Sequence, residues 1–519
     1  MTSRRTLLGA AVLAAAVPAR ADDAPLRWDA EYDILIAGGG GAGLAAAVSA
    51  AELGAHVLLT EKLAMLGGDT LRSTGYLAAP GNPAQKAAGI NDSISFYREQ
   101  TFAAGGRTAD PEVVTALAEN LPDTVRWLTE CGVVFDGRNY EIYGALYPRC
   151  IKPLLPRGNA YIRTLSEKAA RSHVWILTET ALEALFTTPE GRIVGARLRR
   201  SDGSEFLVHT RKGVVLATGG YSANQAMVTQ YCGSAAANMP IRGSRIIAGE
   251  NILLTQKVFA KDVNVNQYHC GPIYGPTGAN PLNIVNNGVA VSKDTTERYT
   301  DEGQTYVQMS RDTAAKTKDN WAFMIVDQDT HDMPKLANDW KSYERTGAPV
   351  YKADTVKELA EKAGLDPEKL VKVINDYNKA VKDGTRDQLT PPNTLKDPRL
   401  VVKAPFYAVP FQGGMTATFG GPLINTRAQV LDSENQPVAG LFAVGNAAGG
   451  LFYDDYVGGA QLTSAAVFGI AAADFMKMKM ALFKIIKETP HEARVYDAAL
   501  CGCPGSHGSD SDVGSRSDA

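Results

Sequence analysis

Cysteine, charge of one sign and long apolar runs are all scarce in this chain, and each scarcity removes a class of function. Its 519 residues include six cysteines, Cys131, Cys150, Cys232, Cys270, Cys501 and Cys503, scattered except for the closing C-x-C. That scatter fixes no disulfide pairing, and with no C-x-x-C-H it offers no c-type haem attachment. Buried or free thiols are the expectation, and no metal centre is expected. Basic residues number 53 against 56 acidic ones, a formal net charge of -3. No basic run is interleaved with aromatics, so nucleic acid is not an expected partner. The apolar stretch near the start, Thr6 to Val17, is too short to span a bilayer comfortably. What is present is a chain 45% hydrophobic, long enough for two domains with a full core.

The first residues stand apart from the fold. A basic Met1 to Arg5, the apolar stretch and an Ala19-Arg20-Ala21 cleavage pattern read together as a secretory signal over 1–21. Within it, Ser3-Arg4-Arg5-Thr6-Leu7-Leu8 resembles the twin-arginine signal that exports folded proteins. The mature protein is therefore expected in the periplasm, with no stable membrane anchor after cleavage.

Past the leader, strand-like runs alternate with alanine-rich helical patterns, which predicts an α/β architecture. Tyr32 to Ala37, Ala42 to Leu53 and His56 to Thr60 predict a βαβ unit. "GVVLATGG" (Gly213 to Gly220) and "GLFAVGNAAGG" (Gly440 to Gly450) repeat the plan of a buried strand ending in glycines. Between about Tyr268 and Met415 the composition becomes less regular, with amphipathic helices expected over Thr355 to Ala363 and Asp366 to Val381. The expected organisation is a nucleotide-binding domain over 30–267 and 416–480, interrupted by a cap over 268–415. A Lys-rich segment and a Ser/Gly/Asp-rich tail, expected to be largely disordered, fill 481–519.

The stretch "DILIAGGGGAG" (Asp33 to Gly43) carries the first chemistry. Gly38-x-Gly40-x-x-Gly43 fits the dinucleotide fingerprint: a tight turn, a close backbone approach to pyrophosphate, and close packing of helix on strand. The helix start after it, through Gly41 and Ala42, offers N–H groups to an anion. Glu61 ends the second strand at roughly the 20-residue spacing of a ribose acceptor, which argues against a 2′-phosphate.

The next loop, "EKLAMLGGDTLRSTGYLAA" (Glu61 to Ala79), resembles that of the fumarate reductase/succinate dehydrogenase flavoprotein family, with its GG-[NS]-[ST] pattern. Gly67, Gly68, Thr70, Ser73, Thr74 and Gly75 fall on matching positions, and Asp69 replaces the commoner Asn. "VVLATGGYSAN", "PFYAV" and "VGGAQLTSAAVFGIAAADF" (Val457 to Phe475) resemble later parts of the same family, over nearly the whole mature chain. The resemblance implies a Rossmann-like FAD-binding domain split in sequence, with an inserted α+β substrate cap. It implies FAD bound through the residues above together with Lys62, Thr218, Gly219, Gly220, Asn446, Gly459, Gln461 and Leu462. A helix whose N-terminus faces the flavin's pyrimidine edge would stabilise the negative charge of reduction. Relatives that attach flavin covalently carry a His near Gly67 and Gly68; none is present here, so FAD is expected to be non-covalent. No second G-x-G-x-x-G follows a strand. The expected electron partner is therefore a redox protein such as a c-type cytochrome, or a quinone, ahead of nicotinamide.

The resemblance also suggests substrate groups for hydride exchange at flavin N5. His269, in "NQYHCGP", resembles a substrate-binding His. Arg311, in "ERYTDEGQTYVQMSRDTA", falls at the family's proton-donor position, with a longer spacing from Arg298 than usual. Other positions depart from the family. Thr416 and Ala417 stand where an anion-clamping His is usual, Phe452-Tyr453-Asp454-Asp455-Tyr456 replaces H-G-x-N-R, and Leu282 and Val285 replace an acid and an arginine. Two anion clamps are lost and two carboxylates gained, so fumarate itself is not the expected substrate. The C-terminal motif resembles the tricarballylate dehydrogenase and 3-ketosteroid dehydrogenase branches, and Tyr456 matches the latter's proton-abstracting Tyr. The implied activity is FAD-dependent oxidoreduction of a small-molecule substrate at a C–C bond next to a carboxylate or carbonyl. The alternatives are steroid-like ring desaturation through Tyr456, and an electron-transfer subunit without its own substrate. Competing structural roles are a core position for His269, a salt bridge of Arg311 with Asp301 or Glu302, Tyr453 and Tyr456 as pocket lining, and solvated Asp454 and Asp455.

Overall fold

The computed structural model describes residues 22–23, 27–141, 147–281 and 283–488. The proposed leader, Leu282, Cys501, Cys503 and the tail from 489 lie outside the described residues.

Strand β1 (Ala30–Ala37) buries its apolar end, Ile34 to Ala37, as a parallel strand covered on both faces must. Alanine, the strongest helix former, dominates α1 (Gly41–Glu52), whose residues 42–50 are all buried. Strand β2 (Val57–Thr60) returns parallel to β1, Leu58 beside Leu35. The βαβ unit runs where the sequence predicts it, each end within two positions.

Four more strands join the same sheet: β3 (Trp175–Leu177), β4 (Thr180–Thr187), β5 (Ile193–Arg200) and β6 (Glu205–Leu216). The expected cap segment contributes β7 (Tyr268–Ile273), β8 (Val289–Ser292), α2 (Tyr306–Lys316), β9 (Ala322–Val326) and β10 (Tyr351–Ala353). Helices α3 (Val356–Ala363) and α4 (Pro367–Asp383) lie where predicted, capped by the side chains of Thr355 and Asp366. The chain then runs through β11 (Phe406–Thr418), β12 (Gln429–Leu431), β13 (Pro437–Ala443) and α5 (Ala460–Glu488).

Two large sheets result. The first orders β4, β5, β6, β1, β2 and β3, with the short strand Asp22–Asp23 beside β4. Strand β6 changes partner along its length: Glu205 to His209 pair antiparallel with β5, while Val214 to Leu216 pair parallel with β13. Pieces far apart in sequence thereby complete one sheet. Helix α5 covers it against α1, so closely that a Cβ on Gly469 would meet Ala42 O at 2.8 Å.

The second sheet is antiparallel, in the order β7, β11, β9, β8, with β10 also on β11. Strand β11 pairs with β9 through Tyr407 to Phe411 and with β7 through Gln412 to Thr418. The expected boundary at 415 therefore falls inside a continuous strand, and the one at 480 inside α5. Composition marks where loops become irregular, whereas strand length is set by pairing partners elsewhere in the chain. Helix α5 begins at Ala460, inside the family-like stretch Val457 to Phe475.

Among the described residues, no helix is long and apolar enough to cross a membrane. Cys131, Cys150, Cys232 and Cys270 are free thiols.

Candidate active site

The first glycine turn is closed at two positions and open at one. Gly38 has φ +112°, and a Cβ there would meet Ala217 O at 2.3 Å. On Gly43 it would meet Gly38 O at 1.9 Å. At Gly40, by contrast, the nearest atom to an added Cβ is Gly67 O at 3.8 Å. Gly40 also caps α1 without a side chain. The turn is thus rigid where it must pack and bare where an anion would approach. Glu61, buried, accepts from Gly39 N at 2.9 Å and Leu63 N at 3.0 Å, which holds the carboxylate at the end of β2.

The second glycine loop docks on the first. Gly67 N donates to Gly39 O at 3.0 Å, and Gly41 N to Thr70 Oγ1 at 3.1 Å; a Cβ on Gly68 would lie 3.6 Å from Gly40 Cα. Ser73 Oγ donates to Thr70 O at 2.7 Å and accepts from Gly75 N at 3.2 Å, while Thr74 is exposed. The turn after β6 reaches the same region: Tyr221 N donates to Thr418 Oγ1 at 2.9 Å, and Gly220 leaves no room for a Cβ beside that hydroxyl. Thr218 and Gly219 precede it, half-buried. Lys62 is engaged elsewhere, in an ion pair with Glu250.

Asp69 joins these loops to the start of α5. Its carboxylate accepts from Ser244 N at 2.7 Å and from Asn446 Nδ2 at 3.3 Å. Burial pushes its pKa up to about 6. Asn446 Oδ1 in turn accepts from Gln461 Nε2 at 3.3 Å. Gln461 and Leu462 lie in the first turn of α5, just after Gly459, which has φ +86°. Asn446 also lines a narrow cleft of about 10 Å³ with Phe419, Phe452 and Ser464.

Beyond Gln461 lies a buried aromatic cluster. His269 Nδ1 is 3.0 Å from Gln461 Oε1, its Nε2 is 2.9 Å from Tyr306 OH, and Tyr306 OH is 2.9 Å from Tyr456 OH. Burial, reinforced by the charges of Arg242 and Arg311, holds His269 well below the usual histidine range. The neutral ring therefore donates from Nδ1 to the amide oxygen and accepts at Nε2 from Tyr306. Burial also raises Tyr306 to about 12 and Tyr456 well above the ordinary phenol value. One donor sense then runs through the whole set, from Tyr456 through Tyr306, His269, Gln461 and Asn446 to Asp69. The phenols and the imidazole can pass a proton; the amides fix the tautomer and orientation of the ring. Phe419 stacks parallel to His269 at 6.2 Å, and Phe452 closes on Tyr456 at 5.9 Å.

The structure brings His269 and Tyr456 together but sets Arg311 apart. Arg311 Nη2 donates to Tyr268 O at 2.7 Å, and its guanidinium lies 4.8 Å over the Tyr268 ring. Successive strand residues face opposite ways, so Arg311 sits across β7 from His269. The salt bridge with Asp301 or Glu302 is not formed either. Asp301 accepts from Thr394, and Glu302 holds Arg298 and Asn393. Asp455 is no solvated carboxylate: it accepts from the Thr305 hydroxyl, and from Tyr456 N at 2.8 Å. Val285 is buried in the core beneath the second sheet.

Sequence reasoning missed two groups. Tyr306 lay unremarked inside the quoted cap motif. Arg242 lies in "MPIRGSRII", which carries no recognisable pattern. In space, Arg242 Nη1 donates to Thr416 Oγ1 at 2.8 Å, and its charge bears on His269, Tyr306 and Tyr456.

A βαβ turn bare at Gly40, with a buried acid ending the second strand, defines a dinucleotide-binding protein. The chain belongs to the FAD-binding domain family, which matches residues 33–461, and its cofactor is FAD. It is 29% identical to the NADH:acrylate oxidoreductase of Vibrio harveyi, over 85% of this chain and 50% of that protein, so it spans about half the relative's length. Among solved structures it resembles the open conformation of a flavocytochrome c3 fumarate reductase, at 28% identity and TM-score 0.71, over 87% of this chain and 78% of the other. It also resembles the 3-ketosteroid-Δ4-(5α)-dehydrogenase of Rhodococcus jostii RHA1, at 25% identity and TM-score 0.73, over 88% and 99% of the two chains.

Proposed function

We propose that this protein is an FAD-dependent oxidoreductase that adds or removes hydrogen across a C–C bond next to a carboxylate or carbonyl, in an inserted-cap arrangement. The observation that carries the reading is the hydrogen-bonded set Tyr456, Tyr306 and His269, tied through Gln461 to the start of α5. FAD, when bound, supplies hydride chemistry. The first glycine turn would take its pyrophosphate and Glu61 its ribose, while Asp69, Asn446 and Gln461 would face the ring end. With no His in the Gly67–Gly68 loop, FAD is held non-covalently.

The residues of this chain then handle the proton. Tyr456 exchanges it with the carbon next to the activating group: a proton taken up is relayed through Tyr306 to the bare Nε2 of the neutral imidazole, and a proton delivered is replaced through Tyr306 once solvent has protonated that nitrogen. Tyr456, Tyr306 and His269 thus take the place proposed from sequence for Arg311. The relatives named above act, by their names, on acrylate, fumarate and a 3-ketosteroid, all with an activated C–C bond. Export in folded form through the twin-arginine leader, and a cytochrome or quinone as electron partner, belong to the same reading.

Anaerobic stopped-flow spectroscopy tests it. The reduced, yellow-to-bleached holoenzyme should be reoxidised by at least one enoate or enone, or the oxidised form bleached by a saturated counterpart. A broad panel of both that leaves the flavin untouched, while a cytochrome exchanges electrons with it, would replace this reading by that of an electron-transfer subunit.

A further inference from the structure

We propose that Arg242 is the substrate's carboxylate anchor, so that the site takes a monocarboxylate enoate, or its saturated acid, with an apolar or aromatic body. This rests on the oxidoreductase reading above and narrows its substrate class.

The mount of Arg242 is rigid. Its backbone N–H donates to Met415 O at 2.7 Å, Met415 N donates to Pro240 O at 2.9 Å, and Ile241 bridges to Met415. The segment 240–243 therefore runs along β11 as an extra rail. The guanidinium lies flat on β7, where a Cβ on Gly271 would meet its Cζ at 3.0 Å. Nη1 is spent on Thr416, but Nε is buried with no partner. Among the described residues, no carboxylate forms an ion pair with Arg242. A part-buried guanidinium with an orphaned donor and no counter-charge is costly unless an anion arrives with the ligand. A planar carboxylate matches the donor fork.

Position and neighbours set the class. Arg242 holds Thr416, one of the two residues standing where a clamping His was expected, so the positive charge enters the same place from another segment. Arg311, the other cation bearing on His269, is on the far face of β7. One cation therefore faces the cluster, and Asp455 adds a carboxylate beside Tyr456. A second anionic group on the substrate would meet that carboxylate or the rings of Phe419, Phe452 and Tyr456. A single carboxylate on an apolar body satisfies every one of these groups.

The test uses FAD-loaded enzyme and difference spectra of the bound flavin. In the wild type, 3-phenylpropanoate should perturb the flavin spectrum saturably, at least tenfold more tightly than its neutral amide and than succinate. Arg242→Met should lose at least tenfold in affinity for the acid and leave the amide unchanged, with Arg242→Lys in between and FAD content retained. Equal binding of acid and amide in the wild type overturns the proposal without any variant, as does an Arg242→Met that binds the acid normally. If neutral cyclic enones reoxidise the reduced flavin while carboxylates do not, the anchor is wrong and the oxidoreductase reading stands. If no compound of either kind binds or reacts, it is the reading itself that fails.

Discussion

Tyr456 and Arg311 are the pair of residues on which sequence and structure divide most sharply. Tyr456→Phe removes the terminal phenol of the hydrogen-bonded set and should lower turnover by about 10²–10⁴-fold with FAD retained, the range of a lost general acid or base. Arg311→Ala removes a donor to a strand carbonyl and a ring contact, so it should weaken stability and change turnover far less. Rapid-mixing kinetics with a thermal melt separates the two. His269 and Asp69 make opposite contributions to pH dependence. His269 is held neutral, so the unfolded chain binds the extra proton and stability falls as pH drops below 6.5, by about 1.4 kcal/mol per unit. Asp69 is raised from 3.8 to about 6, so the folded chain binds the extra proton and stability rises as pH falls through that window, by about 3 kcal/mol in all. Denaturant midpoints against pH should show His269→Gln flattening the first trend and Asp69→Asn removing the second. Neither Tyr306 nor Arg242 was legible in the sequence. Their meaning comes from neighbours on other segments, which no local spacing encodes.

The elements around the glycine turn were the most legible, because the needs of a phosphate turn are local: a buried strand, bare backbone, a helix start and an acid at the next strand's end. Their geometry separates two glycine substitutions. Gly43→Ala would force a Cβ to 1.9 Å from Gly38 O, so that variant should fail to fold or fold without cofactor. Gly40→Ala adds its methyl to open space at φ -79°, a conformation any residue adopts, and should leave the apoprotein's melt nearly unchanged. Its methyl would nonetheless fill the proposed approach to the phosphates, so FAD affinity should drop. Absorbance of the purified protein, with circular dichroism of the apo forms, tells these outcomes apart. The amphipathic helices α3 and α4 were equally legible, through apolar spacing and capping residues. Strand β11 was not: its pairing with β7, β9 and β10 carries it through Gly413-Gly414 and past the composition change used as a boundary.

At the scale of the whole molecule, the residues proposed to hold FAD lie on segments from both ends of the chain, so its binding should act on global stability rather than on one loop. Saturation at 100 times the dissociation constant corresponds to about 2.7 kcal/mol. Urea denaturation of apoprotein with and without added FAD should show a shift of that order, in one transition that includes the second sheet. Two separate transitions, only one of them moved by FAD, would mean that the sheets unfold independently. The divided partnership of β6 has a further consequence, for biosynthesis. Val214 to Leu216 have no neighbour on one side until Pro437 to Ala443 have been translated, so most of the nascent chain carries a naked hydrogen-bonding border that invites mispairing. Ribosomes stalled short of Pro437 should accordingly release sticky, colourless fragments, and chaperone shielding of that border, rather than supply of flavin, should limit the yield of holoprotein.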